Sequence, residues 1–254
     1  MGATASHSRA HDSARFLSAN TVHSTVPRRA KFFIAFLLLP VCAGVLRAII
    51  EVGGQASLHG VVIVPLLAGV ACMAAMKRWL PEPMWVYVLG HEFTHALAAM
   101  LCGGRVKGMK VSGEGGHVYV TKDNFFVTLA PYFVPLYALV VFAVFILGRF
   151  FFKWDTPWVW GVFHWALGLT YTFHVLLTIG ILRTRQPDIT SQGRLFSGVI
   201  ILLGNALVLL VGWSWVVGGP GLPVIAQALR DGVLHTFQDL LAAGNGVWKL
   251  LIQP

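Results

Sequence analysis

The segment VYVLGHEFTHALAAMLCGG, residues 86–104, places His91, Glu92 and His95 in the middle of an otherwise apolar run. A spacing of four puts His91 and His95 one turn apart on the same face of a helix. Two imidazoles so arranged can ligate one Zn²⁺, and the intervening Glu92 can reach a water on that ion as general base. The ion would also lower the pKa of that water toward roughly 7, so that hydroxide forms at neutral pH. A plainer alternative has two hydrogen-bonded histidines and a glutamate that snorkels to the surface. Snorkelling is hardest in the middle of an apolar run, where a charged group costs about 2.5 kcal/mol or more. A bound divalent ion removes that difficulty, because it takes the imidazole lone pairs and favours an ionised Glu92.

The elements that must position these residues are membrane helices. Of the 254 residues, 56% are hydrophobic and 11% are charged, against about 25% charged in a typical soluble domain. The expected fold class is therefore an all-α polytopic membrane protein. A net charge of +9 would suit nucleic acid in a soluble chain. Here the basic residues gather at the ends of apolar runs (Arg28, Arg29, Lys31; Lys77, Arg78; Arg149, Lys153; Arg183, Arg185), where they anchor helices at lipid headgroups. No nucleic-acid partner is expected. Cys42, Cys72 and Cys102 lie inside apolar runs without a short spacing and read as small core residues.

A span needs about 20 apolar residues, and six segments approach that length: 32–50, 59–76, 84–103, 125–148, 157–182 and 195–217. Residues 1–30, rich in Ser, Thr, Ala and His, read as a disordered tail, followed by a retained first span and not a cleaved leader. Residues 31–220 form the transmembrane domain. Residues 221–254 form a C-terminal amphipathic segment, in which Ile225, Leu229, Val233, Phe237 and Leu241 make a stripe suited to an interfacial helix. The stretch MKVSGEGGHVYVT, 109–121, alternates around Gly113, Gly115 and Gly116 as a β-hairpin. With the tail cytoplasmic, six spans put the loops at 77–78 and 149–153 inside and the loop at 51–58 outside. They also put Arg105, Lys107, Lys110 and Lys122 outside, against the positive-inside trend.

The stretch GHEFTHALAAMLCGGRV resembles the HExxH helix of the site-2 protease family, intramembrane zinc metalloproteases. The hairpin and the run TLAPYFVPLYAL, 128–139, are similar to that family's next elements in its compact bacterial branches, and the likeness extends over residues 84–205. It implies a third ligand from an aspartate, often in a Leu-Asp-Gly setting at the start of a later span. This sequence has no Leu-Asp-Gly. Its nearest match is QPDITSQGRLFSGVIILLGNAL, where Asp188 follows Pro187 and Gly193 is delayed. Asp188 is the expected third ligand, because a carboxylate brings the site closer to charge balance with Zn²⁺.

In a six-span topology Asp188 lies near the outer surface while His91 and His95 lie at mid-depth. Residues 183–194 must then dip inward, which non-helical backbone can do beside a watery cavity. His174, in the middle of its span, is the rival ligand, with His117 and Glu114 behind it. Asn205 is expected to bond another helix, His164 to sit at the interface beside Trp160 and Trp165, and Arg47 to snorkel. Pro131 and Pro135 are expected to kink the fourth span.

The activity implied is hydrolysis of peptide bonds in membrane-embedded substrates, with Zn²⁺ on His91, His95 and Asp188 and with Glu92 as general base. Its partners are a membrane-protein substrate, held extended along the hairpin edge, and the lipid bilayer of the plasma (inner) membrane. The alternative is a zinc-binding membrane protein without peptidase activity, either a sensor or an inactive homologue. A transporter is disfavoured, since the sequence has no repeated halves.

Overall fold

The computed structural model describes residues 26–55, 60–81, 83–113, 115–184, 186–216 and 221–252. The tail expected at 1–30 lies outside the described residues up to position 25, as does Glu114. The apolar runs form helices: α1 Arg28–Gln55, α2 Gly60–Trp79 and α3 Met84–Leu101 lead to a hairpin of β1 Val106–Ser112 and β2 Gly115–Val120. A short α4, Phe125–Leu129, and a 3-10 turn, Ala130–Tyr132, precede α5 Leu136–Phe152 and α6 Pro157–Leu182. Then come α7 Pro187–Gln192, α8 Arg194–Val216 and α9 Leu222–Ile252.

Among the described residues four helices, α1, α2, α6 and α8, are long and apolar enough to cross a membrane. A fifth crossing forms if Phe125–Tyr132 and α5 count as one span bent by 79°. The expected kink is there: Pro131 lies in the 3-10 turn and Pro135 caps α5, so neither interrupts a helix interior. The expected count of about six spans is not confirmed by this measure. The segment that drops out is α3, whose His91, Glu92, Thr94 and His95 dilute its hydropathy.

Contacts fix the direction of each helix. Ala35 and Cys42 cluster with Phe196 and Val199, and Val45 and Val52 cluster with Ala206 and Leu210, so α1 and α8 run parallel. Tyr137 meets Phe173 and Phe145 stacks on Phe163, so α5 and α6 run antiparallel. α2 crosses α6 at two glycines. A Cβ added to Gly69 would stand 2.0 Å from the Trp165 carbonyl oxygen, and one added to Gly168 would stand 2.1 Å from that of Leu66. Small residues here let the two backbones touch, the packing that membrane helices favour. The starts of α1 and α8 and the ends of α2 and α6 therefore share one end of the bundle.

Helix α3 does not cross that bundle. Tyr87 and Val88, in its first turns, cluster with Met73 near the end of α2 and with Leu177 near the end of α6. Ala98 and Ala99, in its last turn, cluster with Ala35 and Phe196 near the starts of α1 and α8. Both ends of α3 thus pack within the half of the bundle that holds the ends of α2 and α6 and the starts of α1 and α8. The hairpin packs on α3 so closely that a Cβ on Gly116 would come within 2.7 Å of Val88 Cγ1 and 2.8 Å of Glu92 Cγ. This packing does not confirm the alternation expected of six spans. The basic residues of the hairpin share an end with Arg28, Arg29, Arg183 and Arg194, while Arg149 and Lys153, at the far end of α5, lie opposite.

The C-terminal helix carries the expected stripe, and its first turns pack antiparallel along α1. Ile225 and Ala228 join Val45, Ala48 and Val52. At the crossing a Cβ on Gly232 would meet the Gly44 carbonyl oxygen at 2.4 Å. Arg47, expected to snorkel, pairs instead with Asp239 of α9 at 2.6 Å.

Candidate active site

Helix α3 presents His91 and His95 one turn apart, with ring centroids separated by 4.9 Å and planes inclined by 80°. The short α7, between α6 and α8, brings Asp188 to them. Its Oδ2 lies 3.5 Å from His91 Nε2 and 3.6 Å from His95 Nε2. One ligand atom from each of the three residues falls within 4.8 Å of the others. Zinc bonds of about 2.0–2.1 Å at a tetrahedral angle place neighbouring ligand atoms about 3.4 Å apart. The spacing observed here therefore suits a divalent ion with little rearrangement.

The bonds behind the three residues aim their lone pairs. His95 Nδ1 donates to the Val127 carbonyl at 2.7 Å, and because that carbonyl only accepts, Nε2 is left unprotonated toward Asp188 in the neutral ring. His91 Nδ1 lies 3.4 Å from the Tyr87 hydroxyl, which can either donate to it or accept from it. Tyr132, fully buried, donates its hydroxyl to Asp188 Oδ2 at 2.9 Å. Asn205 in turn donates to the Tyr132 carbonyl at 3.0 Å, so it ties α8 to the 3-10 turn, as a helix-bonding residue should.

The short α7 is the segment that carries Asp188 inward to the histidines: Asp188 accepts from Tyr132, whose carbonyl accepts from Asn205, 11 residues into α8. Glu92 follows His91 around the helix and is buried beneath the hairpin, with its Cγ against Gly116. It is not one of the clustered ligands.

His174 also stays outside the cluster. It is buried on α6 and lines a cavity of ≈ 20 Å³ with Tyr87, His91 and Thr94. Its Nε2 has no hydrogen-bond partner among the described residues. His117 is exposed on β2 beside Tyr119, at 4.7 Å between ring centroids. His164, expected at the interface, is buried with its ring over Trp160.

Two partners of the site escaped the sequence. Tyr132 left a faint signal, a tyrosine between two prolines at a break in an apolar run. The Val127 carbonyl left none, since any residue there would supply it.

A family model described as Peptidase M50B-like matches residues 61–204, more than half of the chain, and takes in His91, Glu92, His95 and Asp188. No curated protein and no solved structure matches the chain. The motif on α3, with its likeness to site-2 proteases, and the family match agree: the chain belongs to the Peptidase M50B-like family.

Proposed function

We propose that this chain is an intramembrane zinc metallopeptidase of the plasma (inner) membrane, acting on membrane-embedded protein substrates. The observation that carries the reading is the arrival of Asp188, 93 positions beyond His95, within ligand distance of both imidazoles of an HExxH helix. His91, His95 and Asp188 would hold the ion. When bound there, Zn²⁺ supplies a Lewis acid that polarises the scissile carbonyl and lets water lose a proton near neutral pH.

The chain's own residues do the rest. Glu92 takes the proton of the attacking water and returns it to the leaving amine. The Val127 carbonyl keeps His95 in the tautomer that offers Nε2, and the Tyr132 hydroxyl steadies Asp188. A substrate helix has its carbonyls already hydrogen-bonded, so a locally unwound stretch must enter. The hairpin over Glu92 offers a strand edge to hold such a stretch extended.

Substituting Glu92→Gln tests the assignment. Cleavage of a membrane substrate should fall by at least about 10²-fold, the scale of general-base loss, while zinc content stays at the wild-type level. Unchanged cleavage would remove Glu92 from the mechanism.

A further inference from the structure

Beside α7, the starts of α1 and α8 enclose a cavity of ≈ 450 Å³ lined by Arg28, Lys31, Gln192 and Arg194, with Phe32 and Leu195 also in its wall. Lys31 is 4% exposed. Its ammonium donates to Gln192 Oε1 at 2.5 Å and stands 5.7 Å from the centre of the Phe196 ring. Arg28 reaches the Thr190 carbonyl at 3.4 Å. None of the three cations has an ion pair among the described residues. Buried charges are ordinarily paired, and here a lysine is packed away with neutral partners alone while two arginines flank the same hollow. Phe32 and Leu195 expose apolar surface beside these charges.

We infer that this cavity binds the phosphate oxyanion of an anionic glycerophospholipid, with Arg28, Lys31 and Arg194 on the phosphate and Phe32 and Leu195 on the chains. Basic hollows between membrane helices at the cytoplasmic surface recognise such headgroups, and a cavity of this size is of the class that takes small ligands. Occupancy also bears on the site, a consequence that rests on the metal reading above. Thr190 and Gln192, which accept from Arg28 and Lys31, belong to the same short helix as Asp188. Gln192 also donates to Thr128 at 3.4 Å, near the 3-10 turn that carries Tyr132. A headgroup that draws Arg28 and Lys31 against α7 steadies the carboxylate that completes the ligand set.

The full chain is reconstituted in nanodiscs of phosphatidylglycerol or of phosphatidylcholine, and retained lipid is counted by native mass spectrometry. Arg28→Gln together with Arg194→Gln should lower the affinity for retained phosphatidylglycerol about thirtyfold, two surface cations being removed. The paired lysine substitutions should restore it, and phosphatidylcholine should be retained at one low level throughout. Equal retention of phosphatidylglycerol by wild type and the glutamine variant overturns the site. Displacement of the lipid by millimolar inorganic phosphate would overturn the lipid assignment in favour of a free phosphate ligand.

Zinc affinity measured in the two nanodiscs reads the coupling. It should be higher in phosphatidylglycerol for wild type and equal in both lipids for the glutamine variant; equal affinity for wild type overturns the coupling. A wild-type chain that holds no zinc in either lipid defeats the peptidase reading, yet leaves the lipid count to decide the anion site.

Discussion

At the scale of the residue, the centre depends on side chains and carbonyls that touch no ion. Tyr132 donates to the same Asp188 oxygen that faces both imidazoles. Groups that orient metal ligands typically contribute 10–100-fold to metal affinity or activity, so Tyr132→Phe should weaken zinc binding by about that factor in a chelator competition. Wild-type affinity in that variant would make the hydroxyl a bystander. The third ligand is tested by metal content: Asp188→Ala should lose the bound zinc, and His174→Ala should keep it. Loss from the second variant with retention by the first would reverse the assignment. How much of the site could be read beforehand follows from distance along the chain. His91, Glu92 and His95 were legible because a four-residue spacing settles its own geometry on any helix. Asp188 was legible as the acidic residue nearest the start of a late span. Tyr132 and the Val127 carbonyl were not legible, because only the tertiary fold decides which hydroxyl or carbonyl arrives behind a ligand.

At the scale of the element, apolar runs located the helices but could not say which of them cross. Helix α3 has 18 residues, close to the length of a span, and its run of apolar side chains looks like its neighbours'. The difference lies in what covers it. Along its length it meets the ends of α1, α2, α6 and α8, and the hairpin closes over Glu92. Alternation around three glycines was enough to predict that hairpin, because the period of a strand is local. Its seat on α3 was not predictable, since close approach is a property of two surfaces. Gly116 makes the seat possible: an added Cβ would also lie 2.8 Å from the Lys110 carbonyl. Gly116→Val should therefore cost about 1–3 kcal/mol by overpacking, lowering the unfolding temperature in detergent and reducing cleavage while zinc remains. Gly113→Ala, with nothing within 4 Å of the new carbon, is the control and should change neither. A Gly116→Val chain as stable and active as the control would mean that the hairpin is not seated on Glu92.

At the scale of the whole molecule, the charge that counted against six alternating spans becomes a single pattern. Arg105, Lys107, Lys110 and Lys122 of the hairpin region share an end of the bundle with Arg28, Arg29, Arg183 and Arg194, because α3 returns to the end from which α1 starts. Positive-inside bias predicts a cytoplasmic face for this end and for the site that α3 and α7 build near it. Single cysteines at Arg29, Lys107 and Lys153, in a background with Cys42, Cys72 and Cys102 replaced by alanine, distinguish the two arrangements. A membrane-impermeant maleimide applied to intact cells should label position 153 and spare 29 and 107 until the membrane is opened. Six alternating spans demand a different pattern, with 107 exposed outside and 153 protected together with 29. The stakes reach the chemistry itself. If 107 is labelled from outside while 29 is protected, α3 must cross the bilayer, and Asp188 can then reach both histidines only where residues 183–194 dip inward beside a watery cavity.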